Sequence, residues 1–172
     1  MYFNLLYQDL GFVAISTAFL GITGWAWRAL KPYRLPQPLP SGFKIWFLTV
    51  QIGGGLVPLI VLILSLWQGQ YQIAAVFISY FVLLGLQVLS ESISLRWFQS
   101  TAFVMVPYLY IPYRVWQLYQ GRNILASAGD AAWVKNLLLA EIGLWVLNYG
   151  LDLAQLPRLF HWADPLERGL EL

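Results

Sequence analysis

The 172-residue chain has no cysteine, a single histidine, two methionines and eighteen charged side chains, 10% of the total. The missing thiols exclude disulfides, thiolate metal sites, iron–sulfur clusters and cysteine nucleophiles. The lone histidine, His161 in "LFHWADPLERG", excludes bis-histidine haem ligation and any multi-histidine zinc site. No Walker loop, dinucleotide fingerprint or G-x-S-x-G elbow occurs. The chain is therefore read as a non-enzyme, with no cofactor and no metal expected. A net charge of +2 is too small and too dispersed for a nucleic-acid footprint, so no nucleic-acid partner is expected.

The shortage of charge also decides the solvent. Ordinary globular domains carry roughly 25% charged residues. Here hydrophobic residues reach 59%, and eighteen charges cannot cover a soluble surface. What fills the chain instead is long apolar runs. Four have the length a bilayer requires, about 20 residues: 10–27, 45–67, 73–90 and 137–156. Six of the nine tryptophans (Trp25, Trp27, Trp46, Trp67, Trp133, Trp162) fall at or just beyond run ends, where indole rings favour the headgroup zone. The N-terminus has neither a basic leader nor a small-residue cleavage site, so a cleaved signal peptide is not expected.

The fifth apolar stretch, 97–117, contains "VPYLYIPYR", with Pro107 and Pro112 inside it. Each proline removes a helical hydrogen bond, and Tyr108 and Tyr110 would stand near mid-bilayer in a span. The segment is read as proline-broken, re-entrant or interfacial on the cytoplasmic side. A fifth kinked span is the alternative, since Trp97 and Trp116 are spaced like two headgroup belts. The fold expected is all-α and polytopic: one integral membrane domain of four transmembrane helices plus the broken segment.

Residues 28–44 form a loop with four prolines and four basic residues, Arg28, Lys31, Arg34 and Lys44. The positive-inside rule makes it cytoplasmic and puts the N-terminus on the opposite side. "QGQYQ", 68–72, is uncharged and short enough for a tight helical hairpin. Residues 157–172 form a polar tail. The setting expected is a bacterial inner membrane or an organellar one, the thylakoid type included.

Two helix faces carry candidate functional residues. Gly11, Ala14, Ala18 and Gly21 line one side of the first run, and Gly53, Gly54 and Gly55 flatten the second. Small residues let membrane helices approach closely, so both are expected to be packing faces. On the last run Asn148 and Asp152 each fall within roughly 20° of Glu141 on the helical wheel, with Gln155 about 40° away. A carboxylate facing lipid is costly, so this stripe should meet protein or water. It can serve as a satisfied interior bonded to Gln51, Gln87, Ser90 or Arg114, as a docking face, or as an ion path. Arg114 is expected to snorkel to lipid phosphates or to pair with Glu91 or Glu141. The functional reading is a non-catalytic accessory subunit or assembly factor of a membrane complex, with the bilayer and other membrane subunits as partners and homo-oligomerisation open. A small oligomeric transporter or channel, and a pigment- or lipid-binding protein, are the alternatives.

Overall fold

The computed structural model describes the backbone of residues 2–26, 41–97, 102–127 and 132–159, and the side chains of 7–26, 42–97, 104–126 and 132–154. The described residues are helical, without strands. α1 covers Tyr2–Ala26, α2 Ser41–Gln51, α3 Val57–Trp67, α4 Tyr71–Trp97, α5 Ala102–Ser127 and α6 Ala132–Leu159. A single π-helical turn, Ile52–Leu56, joins α2 to α3, so the two form one rod. Among the described residues there are thus five long rods. The loop residues up to Pro40 and the tail beyond Leu159, including His161, lie outside the described residues.

Four rods are long and apolar enough to cross a bilayer: Tyr7–Ala26, Gly42–Trp67, Tyr71–Trp97 and Ala132–Ala154. Their outer faces carry large apolar side chains, among them Ile15, Ile22, Ile45, Ile63, Trp67 and Leu147, each more than half exposed. Exposure on this scale is unfavourable in water and is solvated by lipid tails. The protein is an all-α helical membrane protein.

The hairpin between α3 and α4 forms as the sequence predicts. Gly69 takes a left-handed φ of 69°, which costs a residue without Cβ nothing. Its amide bonds the Leu66 carbonyl at 3.2 Å, and the Gln70 amide bonds the Ser65 carbonyl at 2.8 Å. This pair of bonds is the Schellman end of a helix.

The proline-broken reading of 97–117 is corrected. Residues 102–127 form one continuous α-helix with Pro107 and Pro112 inside it, and Trp97 is the last residue of α4 rather than the start of this segment. α5 is the centre of the bundle: it packs on α6, α4 and α1. Val106, Tyr110, Ile111, Arg114, Gln117, Leu118 and Leu125 are all buried on it. Prolines survive in such a helix because neighbouring helices enclose it. The tyrosines also find partners inside the protein: Tyr110 bonds Ser90 at 3.0 Å, and Tyr108 donates to the Asp152 carbonyl at 2.6 Å. Shielded from lipid, α5 does not need an apolar surface, and its hydropathy understates its burial.

Contacts fix the directions. Along α4 and α5, Ser90 meets Tyr110, Gln87 meets Arg114 and Ser79 meets Gln117, so the helices are antiparallel. Arg114 lies on Trp145 while Tyr108 reaches Asp152, so α5 and α6 are antiparallel too. Close approaches secure these pairs. A Cβ on Gly121 would stand 2.6 Å from Val76 Cγ1, and one on Gly54 would stand 2.8 Å from the Trp145 ring. Two apolar clusters result. One joins α3, α4, α5 and α6 around Phe77, Leu118 and Leu138; the other joins α1, α4 and α5 around Leu20, Leu83 and Val106.

Candidate functional site

The interior of this bundle is polar along much of its length, with groups from α1, α2, α4, α5 and α6. Its groups fall into three tiers.

The first tier ties α1 to the rest. Asp9 is 1% exposed, although its place near the start of an apolar run suggests a wet side chain. Its Oδ2 accepts from the Ser79 hydroxyl and from Gln117 Nε2 at 3.0 Å, and its Oδ1 from the Tyr113 hydroxyl at 3.0 Å. Three donors converging on one carboxylate replace the hydration it loses on burial. Phe12 stacks on Tyr113 at 3.8 Å between ring centroids, closing the apolar side of the same joint.

The second tier is centred on Arg114, which is fully buried. The expected snorkelling does not occur: the residue stands mid-helix on α5, on the side enclosed by α4 and α6. Its Nη2 donates to Gln87 Oε1 at 2.7 Å, and Gln87 Nε2 donates to Glu91 Oε1 at 2.8 Å. The guanidinium lies over the Trp145 ring at 4.1 Å and near the Tyr80 ring at 5.5 Å. Aromatic faces stabilise a desolvated cation by about 2 kcal/mol or more. Glu91 and Glu141 act on Arg114 electrostatically. Neither forms an ion pair with it, since no N···O approach within 4.0 Å exists among the described residues. The pairing expected for Arg114 is therefore indirect through Gln87 on one side and open on the other.

The same tier explains the glycine turn. Pro58 has no N–H to return to the carbonyl four residues earlier, that of Gly54. The Tyr80 hydroxyl donates to that carbonyl instead and accepts from Trp145 Nε1 at 3.2 Å. A residue with a side chain at 53 or 54 would keep α6 away, because Leu144 and Trp145 occupy the space. Gly53 and Gly54 thus stand where the glycine turn meets α6. Gly55 is not, as a Cβ there would meet nothing within 4 Å.

The third tier lies on α6. Asn148 Oδ1 accepts from Trp46 Nε1 at 3.0 Å, and Asn148 Nδ2 donates to Asp152 Oδ2 at 3.2 Å. Of the stripe foreseen on the last helix, Glu141 is buried and Asn148 and Asp152 are half-buried among partners from this chain. The side chain of Gln155 is outside the described residues. Of the partners foreseen for the stripe, Gln87 and Ser90 belong to the polar core, while Gln51 is exposed.

The small-residue stripe of α1 does not pack against the other helices of this chain. Gly11, Ala14 and Ala18 are exposed, and a Cβ on Gly11 or Gly21 would meet nothing within 4 Å. α1 buries the opposite face, at Asp9, Ser16, Leu20 and Gly24. The cost of placing the Asp9 carboxylate in lipid sets this rotation and outweighs what small residues would gain by close packing.

Asp9, Ser79, Tyr80, Gln117 and Trp145 are the core residues that the sequence reading missed. Spacing signals only two of them, Asp9 and Gln117. Asp9 and Ser16 are seven apart on one face of α1, and Tyr110, Tyr113/Arg114 and Gln117 repeat at three and four on α5. Among the described residues no three His, Cys, Asp or Glu groups come together to hold a metal ion. Comparison with family models, curated proteins and solved structures returns no match.

Proposed function

We propose that this chain is a non-enzymatic subunit or assembly partner of a larger membrane complex, and that it receives a transmembrane helix of another membrane protein on the outward face of α1. The observation that carries this reading is the placement of Gly11, Ala14 and Ala18. Three small residues on one stripe, suited to close backbone approach, face away from their own bundle. Asn148 of α6 is engaged inside the chain, with Trp46 and with Asp152, and Glu141 is buried, which leaves packing rather than polar pairing as the basis of the contact.

Sidedness follows from the same reading. α5 crosses the bilayer as a fifth span, antiparallel to α4 and α6, so the two ends of the described chain lie on opposite sides. The basic residues of 28–44 and Arg96 then share the cytoplasmic side, while Arg122 and Lys135 lie on the other and Arg114 counts for neither. That distribution obeys the positive-inside rule.

The test is site-specific photo-crosslinking in the native membrane. Probes at Gly11, Ala14 and Ala18 should each yield one and the same protein adduct, whereas probes at the lipid-facing Ile63 and Val146 yield none. Leucine at Gly11 and Ala14 should abolish the adduct formed from Ala18 while the chain remains folded. Lipid adducts alone from all three stripe positions would end the proposal, and a crosslink to a second copy would replace the foreign partner with a homodimer.

A further inference from the structure

Arg114 and Glu141 leave polar atoms unpaired in the deepest part of the bundle. Arg114 Nε and Nη1 have no hydrogen-bond partner, nor does Glu141 Oε2. Both residues are sealed from solvent, at 0% and 3% exposure. They flank the same indole: the guanidinium lies 4.1 Å over the Trp145 ring, and Glu141 precedes Trp145 by one turn on the same face of α6. One turn along α5, Gln117 also leaves its Oε1 without a partner, while its Nε2 is used by Asp9 and Ser79.

An unpaired charged group in a low-dielectric interior costs far more than an unpaired group in water. Native interiors leave few such atoms, and two unpaired donors on Arg114 and one unpaired acceptor on Glu141, residues that act on each other electrostatically, are complementary in kind. Charge decides which occupant fits. An anion on Arg114 would stand against Glu141, with Glu91 already coupled to the guanidinium through Gln87. A cation on Glu141 would stand against Arg114. A neutral molecule that accepts from Nε or Nη1 and donates to Oε2 satisfies both sides without adding charge. Water does this, and a buried water forms about three such bonds.

We infer that Arg114 and Glu141 form a water-bridged pair, a hydrated site enclosed by Trp145 inside the membrane domain. The inference is independent of the α1 docking face and holds whether or not a partner binds there. It gives the interior one wet locus beside an apolar cluster at Phe77 and Leu138.

Hydroxyl-radical footprinting tests it, because radicals generated on bound water oxidise the side chains beside it. The full chain in lipid nanodiscs is irradiated and the oxidised residues are read by mass spectrometry. Trp145, only 5% exposed, should be oxidised at least fivefold faster than Phe77 after correction for intrinsic reactivity. In the Arg114→Leu/Glu141→Leu double variant, oxidation of Trp145 should fall to the Phe77 level. Glu141→Gln, which keeps an acceptor and adds a donor, should retain oxidation within about twofold of the unmodified chain; this variant keeps the test decisive if the double variant does not fold. Protection of Trp145 in the unmodified chain overturns the inference. So does undiminished oxidation in the folded double variant, or loss of oxidation in Glu141→Gln.

Discussion

Replacing Tyr80 by phenylalanine tests how this bundle accommodates a proline in a membrane helix. The hydroxyl does two things: it donates to the Gly54 carbonyl, which Pro58 leaves without its helical donor, and it accepts from Trp145 Nε1 at 3.2 Å. Its removal strands a backbone acceptor and an indole N–H in a site where Tyr80 is 1% exposed. A buried polar group left unpaired costs about 1–3 kcal/mol in soluble proteins. Interhelical hydrogen bonds measured in membranes average about 0.6 kcal/mol and reach about 1.7, because the unfolded chain in lipid also finds partners. With two groups stranded, Tyr80→Phe should cost about 2 kcal/mol. Pro58→Ala restores an amide four residues after Gly54. In that background the same change strands only the indole and should cost about 1 kcal/mol or less. Packing losses at position 58 cancel in the double-mutant cycle, which leaves a coupling of about 1 kcal/mol. Equilibrium unfolding in mixed micelles, or by steric trapping in bicelles, measures all four species. Equal costs in the two backgrounds, within the roughly 0.3–0.5 kcal/mol expected of independent sites, would refute the assignment of Tyr80 as the donor that replaces the proline.

Asp9→Leu should destabilise the fold by about 2–4 kcal/mol, because Ser79, Tyr113 and Gln117 lose their common acceptor. Asp9→Asn, which keeps one acceptor oxygen, should recover part of that loss in the same unfolding assay. Gly121→Ala should cost about 1–3 kcal/mol through overpacking against Val76, and Val76→Ala should relieve most of it. Gly11→Ala, with nothing within 4 Å of the added methyl, should stabilise the isolated chain by about 0.5–1 kcal/mol through helix propensity alone, and a destabilised variant would show that the stripe packs inside the chain. Reporters fused before α1 and after α6 should report opposite sides of the membrane; a same-side result would remove α5 from the set of spans.

Much of this architecture is written in the sequence because lipid imposes a rule that needs no tertiary information. A helix exposed to hydrocarbon must be apolar and about 20 residues long. The rods over 10–26, 45–67, 73–90 and 137–156 obey it and were legible for that reason, as was the hairpin at Gly69. α5 was not. A helix surrounded by other helices answers to its neighbours instead of to lipid, so two prolines, three tyrosines and an arginine between 106 and 114 do not break it.

The candidate site divides the same way. That Glu141, Asn148 and Asp152 should avoid lipid follows from the helical wheel alone; in the bundle Glu141 is buried and the other two are half-buried. Which partners they meet does not follow. Trp46 reaches Asn148 across 102 residues, and Tyr113 and Gln117 reach Asp9 across more than a hundred. The rotation of α1 shows the limit most plainly. Its small residues and its one acid propose opposite faces for burial, and sequence spacing weighs them equally. Only the assembled bundle, by placing three donors around Asp9, makes burying the acid the cheaper choice and turns Gly11, Ala14 and Ala18 outward.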